Sequence, residues 1–134
     1  MTQNEVSQVE IRAIDNYLRG YVINQKLLKL DRYERTYFGY KGDEGRMEVD
    51  ISLAKAKMFE IRHFITEMAN GDEKLLLYYH YVRGETVEKC AELLGISRSS
   101  GFRLKKRALL MAAELKRKNH EKEILNNCER CDII

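Results

Sequence analysis

Proline and tryptophan are absent from the 134 residues, and cysteine occurs only three times. Without proline nothing in the chain is bound to interrupt a helix, so long unbroken helices are favoured over proline-bounded loops. An odd number of cysteines, none at the spacing of a disulfide framework, excludes a small disulfide scaffold and points to a reducing, cytoplasmic compartment. Long hydrophobic runs are missing as well: the longest, residues 108–113, has six members, against the ~20 a membrane helix needs, so no membrane partner is expected. The opening Met-Thr-Gln-Asn-Glu has neither a basic nor an apolar stretch, and no secretory leader is expected. What is present is 44% apolar residues. In a chain that can bury roughly two thirds of its unfolded surface, that suffices for one globular domain or two small ones.

The apolar residues fall at helical spacing. Over residues 5–38, Ile11, Ile14, Leu18, Tyr21, Gln25 and Leu28 step by threes and fours, which predicts one long amphipathic helix. Its stripe serves either a dimer interface or packing on the next helix. Gly20 costs about 1 kcal/mol against alanine in a helix interior, so a bend or fray is expected near it. Three glycines in residues 39–45 mark a mobile loop with neither phosphate-binding glycine spacing. Ile51, Ala54, Met58, Ile61, Ile65 and Met68 repeat the pattern and predict a second helix antiparallel to the first. Asn70-Gly71 should stop it in a left-handed conformation. Asp72 then opens a third helix through Val82, ended by Arg83-Gly84. Thr86 is placed to cap a short fourth helix ending at Gly95, and Ser97 a fifth running to about Asn119. No segment alternates long enough to be a strand.

Residues 87–106 carry the small and apolar positions of a helix-turn-helix. Two helices meeting steeply through a short turn need a small residue at their contact, here Ala91, and a residue tolerant of positive φ in the turn, here Gly95. Cys90, Leu94, Ile96 and Leu104 supply the shared core. Charge gathers on the same segment. Residues 97–118 hold eight basic groups (Arg98, Arg103, Lys105, Lys106, Arg107, Lys116, Arg117, Lys118) against Glu114, a local +7. Residues 1–70 carry 11 basic and 11 acidic groups, and residues 71–96 and 119–134 each sum to −2. Positive charge confined to one helix is the electrostatic footprint of a nucleic-acid reader.

With Leu104, Ala108, Met111 and Leu115 toward the core, Arg98, Ser99, Phe102, Arg103 and Lys106 share the outward face and are the candidate base-reading residues. Arg98 and Arg103 have the fork suited to guanine O6 and N7. Ser99 donates or accepts, and Phe102 either lies against a thymine methyl or is buried under the preceding helix. Thr86, Ser97, Lys105 and Arg107 are the candidate phosphate contacts, which position the helix without reading sequence.

Residues 75–109, with Ala-Glu-Leu-Leu-Gly-Ile-Ser-Arg-Ser-Ser and Lys-Arg-Ala-Leu, resemble the promoter-reading domain four of bacterial sigma factors. The ending Ser-x-x-Ser-x-Phe-Arg-x-Lys-Lys-x-Ala-Leu is closer still to the ArpU/RinA-type late transcription regulators of phages and prophages of Gram-positive bacteria. The resemblance covers about 35 residues and implies sequence-specific binding to double-stranded DNA at a promoter or control region through Arg98, Ser99, Phe102, Arg103 and Lys106. Gly101 stands where such proteins usually have a bulkier residue, which is expected to weaken helix and packing by about 1 kcal/mol.

Other constellations carry less. Cys128-Glu-Arg-Cys131, with His120 upstream, has the two-residue gap of a zinc site but lacks a fourth ligand. No metal or cofactor is therefore expected, and residues 120–134 read as a flexible tail. His63 between Glu60 and Glu67 can form side-chain pairs without making a catalytic set. No nucleophile has a neighbouring base, so an enzyme is not expected. The eight tyrosines suit core and rim better than a stacking platform for single strands.

The expectation is an all-α protein: a helical hairpin over residues 1–70 for oligomerisation or partner contact, a sigma-four-like helix-turn-helix domain over 71–119, and the tail. Its partners would be DNA, with RNA polymerase or a second copy engaged by the hairpin. The alternatives are a small-terminase-like DNA-packaging subunit and a helix-turn-helix module that binds protein.

Overall fold

The computed structural model describes the backbone of residues 2–39 and 44–132 and the side chains of residues 8–39 and 49–126. The protein is all-α, and the described residues include no strand. In order come α1 (Thr2–Phe38), α2 (Glu44–Thr66), α3 (Asp72–Leu77) running directly into a π-helical turn (Tyr78–Val82), α4 (Val87–Leu94) and α5 (Arg98–Asp132). Among the described residues no helix is long and apolar enough to cross a membrane. Most of the expected glycine loop, residues 40–43, lies outside the described residues.

α1 and α2 pack antiparallel. Tyr17 meets Glu60 and Phe64, Gly20 lies against Ile61, and Asn24 shares a groove with Lys57. The threes-and-fours stripe of α1 is used inside the chain: Ile14, Leu18 and Tyr21 are buried against α2 and the C-terminal helices, with Ile11 packed at their edge. α1 continues unbroken through Gly20, without the expected fray. A Cβ there would lie 3.2 Å from Ile61 Cδ1, so the missing side chain lets α2 approach.

α2 stops at Thr66, earlier than its stripe predicts. Thr66 Oγ1 donates to the His63 carbonyl and Lys74 Nζ to the Thr66 carbonyl, which satisfies acceptors that a helix end leaves orphaned. Gly71 is extended (φ 167°) rather than left-handed, so the expected glycine stop is not what ends the helix. Met68 is nonetheless buried after leaving it.

The π turn is closed by Arg83 N donating to the Tyr78 carbonyl. It buries Tyr81, whose hydroxyl donates to Asp15 of α1. Leu18, Ile61, Ile65, Leu76, Leu77 and Cys90 are the largest fully buried side chains, each apolar one contributing roughly 1.5–3 kcal/mol. They lie in a single cluster with Leu104, Ala108 and Ala112 of α5, so the hairpin's proximal half and the C-terminal helices share one core.

α5 continues to Asp132, past the expected end near Asn119. Neither glycine nor proline follows Gly101 to stop it. Along the way Arg117 pairs with Glu10 and Asn119 donates to Glu67, tying α5 to α1 and to the segment that follows α2. His120 is exposed on this helix, and the side chains of Cys128 and Cys131 lie outside the described residues.

Candidate nucleic-acid interface

Local rules place α4 and α5. Thr86 Oγ1 accepts from Lys89 N at 3.1 Å and caps α4. Gly95 takes the left-handed conformation (φ 70°) that closes α4, with Ile96 N donating to the Ala91 carbonyl at 2.9 Å. Ser97 Oγ then accepts from Ser100 N at 3.2 Å and caps α5. The two helices meet at Ala91 and Gly101. Gly101 is buried, and a Cβ on it would lie 2.9 Å from Ala91 Cβ, closer than two such atoms can sit. The glycine that looks like a weakness in sequence is therefore what permits the helix contact. Cys90, Ala91, Leu104 and Ala108 are buried behind it, while Leu94 and Ile96 pack at the rim.

The opposite side of α5 is open. Arg98, Ser99, Phe102, Arg103 and Lys106 are all exposed over its first turns. Phe102, at 45% exposure, is not buried under α4. The Arg98 guanidinium stands 5.9 Å from the Phe102 ring and 3.3 Å from Glu88 of α4. Arg103, Lys106 and Arg107 line one groove with Ser100 and Leu110.

The four expected phosphate contacts separate. Arg107 lies on the open side, 3.8 Å from Glu73. Thr86 and Ser97 are exposed, yet their oxygens already accept from backbone N–H groups as caps. Lys105 is half-buried, and its charge acts on Asp15 of α1 and His80 of the π turn. Burial tends to raise the Asp15 carboxyl, but hydrogen bonds from Tyr81 and Arg19 outweigh it and hold the group below its ordinary value. Burial also lowers His80, against the opposing effect of its contact with the Glu85 carbonyl.

Sequence reading missed Ser100 and Leu110 as groove residues, though their spacing of three and four from Arg103, Lys106 and Arg107 was available. It also missed Glu73 and Glu88 as neighbours of the basic face. No spacing signals those, because they arrive from α3 and α4 through tertiary packing.

Comparisons of the chain with protein-family models, with curated proteins and with solved structures find no match. The chain's own residues are the ground for a functional reading.

Proposed function

We propose that this protein is a sequence-specific, DNA-binding transcriptional regulator of phage or prophage type, with the first turns of α5 entering the major groove. One observation carries the reading. Arg98, Ser99, Phe102, Arg103 and Lys106 are exposed together on a helix held by the Ala91–Gly101 contact of a two-helix turn. A helix about 10–12 Å across fits a major groove about 12 Å wide.

In this mechanism Arg98 and Arg103 offer bidentate donors to guanine, Ser99 a hydroxyl, and Phe102 an apolar edge for a thymine methyl. Arg107 meets phosphate and fixes register. Glu88 and Glu73 pair with Arg98 and Arg107 in the free protein. DNA exchanges those exposed pairs for phosphate or base contacts, a small loss because surface ion pairs contribute about 0–1 kcal/mol.

The test is selection of bound duplexes from a random DNA library at near-physiological salt. An enriched motif, lost in the Arg103→Ala, Lys106→Ala double variant, is the expected result. Weak, unenriched binding that vanishes as salt rises would reduce the basic face to an electrostatic contact and overturn the reading.

A further inference from the structure

Beyond the shared core, α1 carries a second apolar stripe that is left exposed among the described residues. Ile23, Leu27, Leu30, Tyr33, Tyr37 and Phe38 are each more than half exposed. Leu27 and Leu30 share a groove with Leu53 of α2, so the apolar surface continues onto the second helix. A covered aromatic alone buries about 150–250 Å². Three aromatics and three aliphatics thus offer an area on the order of the ~800 Å² per partner that a stable interface requires.

The spacing of this stripe is that of a coiled-coil seam. Ile23, Leu27, Leu30, Glu34 and Tyr37 step by four, three, four and three, the alternation that keeps one face toward a partner helix. Lys26 and Tyr33 flank the seam on one side, Asp31 and Phe38 on the other. We propose that this face of α1 is the interface with a second copy of the chain, the two hairpins lying parallel about a two-fold axis that runs along them.

Charge decides the direction. A two-fold axis parallel to the helices brings one flank of each α1 against the opposite flank of its partner, so Lys26 of each copy faces Asp31 of the other and Tyr33 faces Phe38. An antiparallel pair over the same stripe brings like flanks together, so Lys26 meets Tyr33 of its partner and no Lys26–Asp31 pair forms. Flanking pairs of this kind set orientation in two-helix seams. Glu34, the one polar seam member, faces its own copy across the parallel axis, a like-charge contact that lowers affinity and is outweighed by the two Lys26–Asp31 pairs. The parallel arrangement also puts both α4–α5 units at the same end of the dimer, as two half-sites of one duplex require.

Sedimentation equilibrium of the full chain tests this, and its readout does not depend on DNA, so a failure of the DNA-reading model leaves it standing. The wild type should sediment as a dimer, twice 15.8 kDa. Leu27→Glu with Leu30→Glu should give a monomer of unchanged helical circular dichroism, since both side chains are exposed in the single chain. Lys26→Asp should weaken the dimer about tenfold, because it makes two symmetric pairs repulsive. Adding Asp31→Lys should restore it. A monomeric wild type, a larger ring, or a dimer that survives the double leucine variant overturns the interface. Failure of the charge exchange to restore affinity overturns the parallel order.

Discussion

Two helix-interior glycines are identical to a propensity scale and different in the folded protein. An alanine Cβ at Gly20 would meet the flexible end of Ile61 at 3.2 Å, whereas at Gly101 it would meet the Ala91 methyl at 2.9 Å, with no torsion able to relieve it. Gly101→Ala should therefore lose about 1–3 kcal/mol to overpacking, against the ~1 kcal/mol that alanine adds to helix stability. Gly20→Ala should cost less or stabilise. Urea melts of both variants check the order, and equal effects would contradict the packing account. Asp15 supplies a prediction in pH. Its folded pKa lies below its ordinary value of 3.8. The stability it contributes is present above that ordinary value and is lost as pH falls through the lower folded one. Tyr81→Phe removes the largest of the contacts that lower the pKa. The variant should be less stable at neutral pH and lose less of its stability on acidification below about pH 4, as urea melts at a series of pH values would measure. On the open face, Arg103→Ala should cost about 1–3 kcal/mol and relax specificity at one base position, readable by binding to single-base operator variants.

At the scale of elements, periodicity made most of the fold legible. The stripes of α1 and α2 place Ile14, Leu18, Tyr21, Ala54, Ile61, Ile65 and Met68 inside, and all are buried. Thr86, Gly95 and Ser97 cap and turn as short-range rules require. Helix ends were less legible where tertiary contacts set them. Lys74 of α3 closes α2 at Thr66, while α5 runs on past Asn119 with residues 120–126 exposed and no glycine or proline to stop it. The shared core has a consequence for the C-terminal helices. Residues 71–134 alone would keep Leu76, Leu77, Tyr81 and Ala112 but lose Ile14, Leu18, Tyr21, Ile61, Phe64, Ile65 and Met68 from the cluster they share. Such a fragment should lack a cooperative thermal transition, observable by circular dichroism, although its helix-turn-helix spacing is complete. Within the candidate site, the exposed row from Arg98 to Lys106 followed from helical geometry. The partial burial of Lys105 and the approach of Glu73 and Glu88 depended on which helices pack beside α5.

For the whole molecule, the proposed DNA complex should weaken linearly in log–log terms as salt rises. Arg107→Ala should reduce that slope by about one while lowering affinity evenly across sequences, a result that fluorescence anisotropy at several salt concentrations would give. A dimer joined through α1 should select two half-sites spaced by whole turns of about 10–10.5 base pairs. The sequence by itself determined the all-α class, the two hairpin stripes, the caps and the concentration of positive charge on α5. All of these are properties of neighbours within a turn or two, where helix period and capping chemistry act. Only the tertiary structure decided that Gly101 is a contact rather than a flaw, that Lys105 is half-buried, that the hairpin and C-terminal helices share one core, and that the distal stripe of α1 is exposed among the described residues. Those outcomes depend on which surfaces far apart in the chain come within packing distance, and no local spacing encodes that choice.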